Sequence, residues 1–271
     1  MEVKELHMFS ICAYRESPYL EACIRSVLGQ NYPTKAILCT STPSPFLEGM
    51  AKKYRLPYYV REGESNIRDD WNFAYAMADA RLVTIAHQDD CYRAGYVRAL
   101  VNSFYRFQDM TLFSTDAITV KNGHPLRTER LRLVKKLLRL GLRSPYMNHL
   151  SWVKKSALMF GNSICCPSCT YNKEHLGDVL FTSDFQFVLD WENLFTLAER
   201  PGRWICAEEP LVFHRIHREA ATSACMGENR REFEEVKMFE RIWPQPLTKL
   251  WMKGYRRAYG AYVGNIDEDK H

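Results

Sequence analysis

Apolar and polar positions along this chain fall into blocks whose period switches between two kinds. Residues 6–13, LHMFSICA, form an apolar run of the length of one buried strand. The next block, YRESPYLEACIRSVLGQNYP, changes period: Leu20, Cys23, Ile24, Val27 and Leu28 recur at helical spacing and make one apolar face. Ser17 is the expected N-cap of that helix, Pro18 its first residue, and Gly29 and Pro33 close it. The alternation continues with short strands at 36–39 and 58–60, a helix at 46–54, a small-residue helix at 72–80, and a strand at 82–86 that stops at His87-Gln88-Asp89-Asp90. Beyond it the pattern predicts a helix over 93–107, and two strands within 111–124 turning at Asn122-Gly123. A basic amphipathic helix is predicted over 127–143 and another helix over 181–198, with strands at 204–206 and 211–213. Helical stretches from about residue 229 onward are broken by Pro244 and Pro246.

Strands alternating with helices at this spacing indicate an α/β fold around a mostly parallel sheet. In such sheets ligands sit beyond the carboxyl ends of the strands. Tyr14-Arg15-Glu16, Thr40-Ser41-Thr42 and His87-Gln88-Asp89-Asp90 each follow a predicted strand, so all three are expected on one rim. The acidic turn therefore faces a cleft.

Length and composition narrow the class. With 271 residues, 46% hydrophobic and 25% charged, the chain has enough material for a full core and is not built for wholesale disorder. A net charge of +5 suits an anionic ligand but is too weak to indicate nucleic acid, which is not expected as a partner. The stretch MEVKELHMFSICAY carries charges where a secretory signal would be apolar, and no run of 18 apolar residues occurs. Nine cysteines are then read as reduced thiols in a cytoplasm. Cys165, Cys166 and Cys169 lie near His175, but no second Cys-x-x-Cys pair stands at ligand spacing, so small buried residues near a loop are preferred over zinc.

Five segments, in order, resemble the family-2 glycosyltransferases of GT-A fold. They are SICAYRESPYLEACIRSVLGQNYP; WNFAYAMADARLVTIAHQDDCY; GNSICCPSCTYNKE; LDWENLFTLAERPGRW; and LVFHRIHREAATS. The resemblance spans roughly residues 6–225. It implies a Rossmann-like, mixed but mostly parallel sheet flanked by helices, as a domain over 1–225, with a C-terminal helical tail over 226–271. It also implies inverting transfer of a sugar from a nucleotide diphosphate (UDP or another) to an acceptor hydroxyl, assisted by Mg²⁺ or Mn²⁺. The acceptor expected is a glycan or lipid-linked glycan of a bacterial envelope. The expected place of work is the cytoplasm, with peripheral contact at the inner membrane face as the sharper reading of the 127–143 helix and the basic, aromatic tail KLWMKGYRRAYGAY.

Carried onto this chain, the resemblance makes Asp89 the metal ligand and His217 a second metal or diphosphate ligand. Asp90 orients the loop or contacts the sugar, and Arg215 and Arg218 face the leaving group. Thr222 and Ser223 belong to a closing loop. Asp190 is the general base, flanked by Leu189 and Trp191, whose partial desolvation raises its proton affinity. Asp184 is the fallback base. Ala13 permits close backbone approach, Tyr14 offers a ring and Glu16 a carboxylate to the nucleoside, and Arg68 reaches base or phosphate. Asn72 either caps a helix or contacts the donor.

Three positions depart from the family pattern. His87 stands where an Asp usually opens the metal motif and is expected on ribose or phosphate. Thr40, with Ser41 and Thr42, replaces a base-reading Asp. Trp71 stands where an Arg is common. Blander alternatives remain open at this point: His217 could be a surface-paired histidine in a polar hairpin, and Tyr14 a rim aromatic that packs on the sheet. Asp89 and Asp90 could only cap the next helix, and Asp190 could only cap its own. The competing functions are a nucleotidyltransferase, for which the Gly-rich, Lys-bearing loop is missing from CAYRESPYL, and a non-catalytic glycan- or membrane-binding relative.

Overall fold

A computed structural model describes residues 5–126, 129–216 and 230–267, with side chains for all of these except 129–131 and 257–267. Nine strands form one sheet: β1 Glu5–Ala13, β2 Lys35–Thr40, β3 Tyr58–Val60, β4 Ala80–His87, β5 Cys91–Tyr92, β6 Met110–Lys121, β7 His124–Pro125, β8 Thr170–Asn172 and β9 Arg203–Ile216. Their order is β3-β2-β1-β4-β8-β6-β9-β5, with β7 hairpinned onto β6. The β3-β2-β1-β4 half is parallel, as is the long β6–β9 pair, while β8, β5 and β7 join antiparallel. The sheet is therefore mixed and mostly parallel, as expected.

Period-2 alternation sends successive residues of β1 to opposite layers. Phe9, Ile11 and Ala13 pack under one layer with Leu20, Cys23, Ile24 and Val27 of helix α1 (Leu20–Leu28), Leu47 and Ala51 of α2 (Pro45–Tyr54), and Leu100 of α4 (Tyr96–Arg106). Met8 turns to the other layer, with Ala74 and Tyr75 of α3 (Ile67–Met77). That layer also takes Val153 of α6 (Ser151–Ser156), Leu194 of α8 (Leu189–Leu197), Met238 and Phe239 of α9 (Arg230–Ile242), and Met252 of α10 (Gln245–Asp267). Two further helices, α5 (Glu129–Leu138) and α7 (Lys173–Leu176), lie between β7 and α6 and after β8. Among the described residues no helix is long and apolar enough to cross a membrane.

Several element boundaries differ from expectation, each for a local reason. Helix α3 starts at Ile67, not at 72, because Asn66 caps it by accepting from Asp69 N at 2.9 Å. Asn72 is thus no cap. Helix α1 starts two residues after Pro18, with Tyr19 at the N-cap; Ser17 instead accepts from Tyr19 N and binds elsewhere. The strands expected at 204–206 and 211–213 are one strand, β9, whose register against β6 shifts around Asp116 and Pro210. The Asn122-Gly123 turn is present, both residues at positive φ (51° and 82°), as a two-residue hairpin of this hand requires.

The basic segment departs most. It splits into α5 and a 3-10 turn over Leu140–Arg143, and its faces are inverted relative to a solvated amphipathic helix. Arg132 and Arg139 each reach the buried Asp116 at 3.2 Å, with Lys136 at 3.9 Å. Leu133, Val134, Leu137 and Leu140 point outward. One buried carboxylate on β6 thus turns the cationic row inward.

Candidate active site

The register of the parallel half puts three strand ends level: Ala13 stands beside Thr40, and Cys12 beside His87. The turns leaving these three strands consequently form one rim. The turn after β1 is tied to the turn after β4, because Gln88 accepts from Tyr14 N (3.2 Å) and donates back to Tyr14 O (2.8 Å). It is tied to the turn after β2 as well: Arg15, in the left-handed region at φ 54°, donates its N–H to Thr42 Oγ1 at 2.6 Å. Tyr14 and Glu16 are exposed on this rim, and Ala13 is buried just beneath it. Thr40 is buried, with its hydroxyl accepting from Thr42 N at 3.0 Å. Its hydroxyl thereby helps shape the turn that follows β2.

The acidic turn does not cap the next helix. Gly95 holds the N-cap of α4, and β5 intervenes. Asp89 Oδ1 accepts from Ser17 Oγ at 2.8 Å, which is what takes Ser17 away from α1. Asp90 is buried and accepts from His214 Nδ1 (3.2 Å) and Arg215 N (2.7 Å), with His87 Nδ1 3.9 Å away. Of the two roles expected for Asp90, this geometry serves the loop. Arg215 also donates from Nε to Asp89 O at 3.0 Å and lies over the Tyr19 ring at 4.3 Å, bringing a fixed cation to the rim. His214 and Ser17 were not picked out as site residues. Their link is a contact across 124 or 72 residues that no local pattern announces.

The electrostatics follow from burial and pairing. Burial alone raises Asp90, but the neighbouring His214 and His87 and the Arg215 amide outweigh it and hold the carboxyl below its usual range. Burial lowers His214, yet the Asp90 carboxylate and its hydrogen bond more than offset this, so His214 sits above an ordinary histidine. Burial keeps His87 below. His87 is stacked on Trp71, centroids 4.8 Å apart and planes 26° from parallel. Two of the three departures from the family pattern are therefore each other's partners: a flat neutral pair stands where a carboxylate and a guanidinium were expected.

Asp190 lies in the first turn of α8, whose N-cap is Val188, so it does not cap its helix. Leu189 and Trp191 are buried on either side, and Trp191 Nε1 donates to Leu158 O at 2.9 Å, pinning the turn. Asn162 Nδ2 donates to Asp190 Oδ2 at 2.8 Å. Asn162 follows Gly161 (φ 125°), where a Cβ would come within 2.9 Å of the Tyr255 ring. Burial lifts the Asp190 carboxyl above its usual range, against the opposing pull of the Trp191 N–H and Asn162. Asp184 is 96% exposed on the loop before α8 and pairs with Arg68, which also binds Asp69 at 2.9 Å. Neither residue is buried in the rim, and Asp184 is not on the helix. Asn72 accepts from Leu180 N and Phe181 N and donates to Phe181 O, so it clamps that same loop.

Cys166 connects the two acidic centres. Its Sγ lies 3.8 Å from His87 Nε2, and its thiol is raised by burial and by the nearby charges of Asp190 and Asp90. His214 likewise lies within the fields of Asp90 and Asp190. Lys135 of α5 acts on both Asp190 and His214, adding a cation that the pattern of the 127–143 helix had assigned to a solvated or lipid-facing surface. His217, Arg218, Thr222 and Ser223 lie outside the described residues.

A divalent cation was expected here. Among the described residues no three His, Cys, Asp or Glu side chains converge as a metal cage. Asp89, a half-buried hard oxygen donor at the strand end, is the one that fits. Mg²⁺ in phosphate-transfer sites is commonly held by one or two carboxylates plus the substrate's own phosphates. Among the described residues, then, the donors fit an ion shared with a diphosphate.

Among curated proteins, none matches the chain significantly. Solved structures of the same fold do. S. aureus TarS 1-349 in complex with UDP-GlcNAc is 14% identical at a TM-score of 0.59, over 81% of this chain and 61% of that one. The mannosyltransferase PcManGT from Pyrobaculum calidifontis, in complex with GDP-Man and Mn²⁺, is 13% identical at 0.62, over 98% and 75%. Glucosyl-3-phosphoglycerate synthase from Mycobacterium tuberculosis, in complex with Mn²⁺ and UDP-glucose, is 13% identical at 0.55, over 86% and 77%. The chain thus spans about three fifths of the TarS fragment's length. At such identities the likeness speaks for the GT-A fold. The sequence profile described as "Glycosyl transferase family 2" matches residues 9–171, more than half of the chain and every strand of the parallel rim, and on that ground this protein belongs to glycosyl transferase family 2.

Proposed function

We propose that this protein transfers a sugar from a nucleotide diphosphate to an acceptor hydroxyl with inversion. Asp190 takes the acceptor's proton, and the Asp89 turn handles the leaving diphosphate. One arrangement carries the reading: Asp90 meets His214 and stands near His87 at the end of β4, Cys166 Sγ lies 3.8 Å from His87, and the charge of Asp190 acts on both Cys166 and His214. A carboxylate raised by burial is a stronger base than an exposed one, and Asn162 fixes one of its oxygens. Arg215, held on the Asp89 carbonyl, offers positive charge where the diphosphate departs. Tyr14 and Glu16, exposed on the rim, take the nucleoside, and the Trp71–His87 stack stands at the end of β4, next to Gln88, which ties that turn to Tyr14. Mg²⁺ or Mn²⁺, when bound, supplies Lewis-acid stabilisation of the leaving phosphates, with Asp89 holding it and His217 the second candidate.

Melting the protein with UDP or GDP, with and without Mn²⁺, tests this. A ligand that binds only the folded state raises the melting temperature. A nucleoside diphosphate with Mn²⁺ is expected to raise it, and Mn²⁺ alone to raise it much less, since the substrate's phosphates complete the ion's oxygen shell. If no diphosphate shifts the transition, the reading fails. Hydrolysis of the matching nucleotide sugar then separates an enzyme from a non-catalytic binder.

The acceptor belongs to the same proposal: a glycan or lipid-linked glycan, met at the inner face of a membrane. The outward row Leu133, Val134, Leu137 and Leu140 favours this, as do the exposed Tyr146 and Trp152 on the segment packed beside it. Aromatic and aliphatic side chains of this kind insert at the headgroup boundary. Because Arg132, Lys136 and Arg139 are spent on Asp116, flotation with liposomes should depend more on Leu137→Asp and Trp152→Ala than on salt. Loss of binding on raising salt alone would point back to a charge-driven contact.

A further inference from the structure

The helix that carries Asp190 is not capped by its own sequence. Val188 at its N-cap makes no side-chain cap bond, and its own N–H is buried, where an unpaired donor is costly; the N–H groups of Gln186 and Phe187 before it are part-buried. They are collected by a carboxylate from elsewhere. Glu234, buried on α9, accepts from Gln186 N at 3.0 and 3.1 Å, from Phe187 N at 2.6 Å and from Val188 N at 3.2 Å. Such charge-assisted bonds are the strong ones, and a negative group at a helix N-terminus is also favoured by the helix dipole.

The grip extends along both elements. Arg231 lies over the Phe187 ring at 4.8 Å, Arg230 donates to Gln186, and Arg241 reaches Glu192 one turn into α8. Phe239 meets Trp191 edge-on at 5.2 Å. Asp190 is two residues beyond Val188, the last residue whose amide Glu234 holds. Its direction is therefore set on one side by Asn162 and on the other by this anchor.

We propose that Glu234 is a positioning residue for Asp190: a buried carboxylate supplied by the C-terminal helices that fixes the entry of the base-bearing helix. This rests on Asp190 being the base. Glu234→Ala removes every acceptor, whereas Glu234→Gln keeps a carbonyl oxygen that can take the Oε2 position and its three N–H groups. Displacing a catalytic group by about 1 Å costs up to about 10²-fold. Glu234→Ala is therefore expected to lower kcat for nucleotide-sugar turnover by at least about tenfold while the melting shift given by UDP with Mn²⁺ is unchanged. Glu234→Gln should recover most of the rate, and amide exchange at residues 186–190 should accelerate in the Ala variant only. Leu100→Ala on α4, a destabilised control in the opposite core layer from α8, should neither slow turnover nor selectively speed exchange at 186–190.

Equal loss of UDP binding and kcat in Glu234→Ala, or a rate within about twofold of wild type, overturns the proposal. If Glu234→Ala does not fold, Glu234→Gln still decides: a rate loss as large as that of an Asp190 variant refutes the hydrogen-bond account. If the wild-type protein turns over none of UDP-glucose, UDP-GlcNAc or GDP-mannose, the transferase reading is what has failed. Unchanged exchange at 186–190 would refute the anchor itself.

Discussion

Asp190→Asn is expected to slow transfer severely and at the same time to stabilise the protein. The rate should fall by about 10²–10⁴-fold, the usual contribution of a positioned general base, while the UDP-dependent melting shift persists. The stability change follows from the raised carboxyl. A group whose folded-state pKa lies above its unfolded value stabilises the fold below the unfolded pKa, and that contribution is lost as pH rises through the folded one. At neutral and alkaline pH the wild-type fold therefore carries a buried charge that the Asn variant lacks. The variant should melt higher there, and the difference should vanish once the pH drops below the ordinary aspartate value of about 3.9. Asn keeps an oxygen for Asn162 Nδ2, so the turn is not broken. Calorimetry at two pH values, beside turnover, checks both halves. A variant that melts lower at neutral pH would show that the charge is better paired than the geometry indicates. The same raised carboxyl implies that wild-type turnover rises with pH through an apparent value above that of an exposed aspartate.

Asp89→Asn should remove metal dependence without disturbing the fold. Its amide carbonyl can still accept from Ser17 Oγ, so the tie between the two turns survives. A metal-stabilised leaving group is worth several kcal/mol, and each 1.36 kcal/mol is tenfold. The rate is expected to drop by two or more orders of magnitude. The melting shift given by UDP should lose its Mn²⁺-dependent part and keep the remainder that Arg215 and the rim provide. Retention of the full Mn²⁺ enhancement would move the ion away from Asp89. By contrast, an Asp90 substitution would strand His214 and the Arg215 amide, and is a poorer probe of metal binding.

Much of this architecture is legible along the chain. Strands β1, β2 and β4 stand out as apolar runs because both faces of a covered parallel sheet are buried. Helices α1, α2 and α4 are legible from their single apolar faces and the stop signals around them. The shared rim comes from those strands, because parallel neighbours in register end together. Most of what resisted reading was set by partners distant in sequence. The start of α3 is the exception, a local cap in which Asn66 accepts from Asp69 N, where the sequence pattern places the first helical residue at Asn72. Ser17 resembles a cap, yet it donates to Asp89, 72 residues away. The helix expected from residue 181 begins only at Leu189, because Glu234 takes the amides of Gln186, Phe187 and Val188, and Asn72 holds those of Leu180 and Phe181.

By itself, then, the sequence determined the alternation of strands and helices, the level strand ends, and the identity of the acids after β4 and in α8. These are local matters of period, propensity and turn chemistry. The tertiary structure decided which groups face one another: that His87 lies on Trp71, that Asp90 is spent on His214 and Arg215, that Asp116 turns the basic row of α5 inward, and that a carboxylate from α9 holds the helix bearing Asp190. Buried polar groups must find partners wherever the packed chain brings one within reach, and that reach is set by the whole fold rather than by neighbours in sequence.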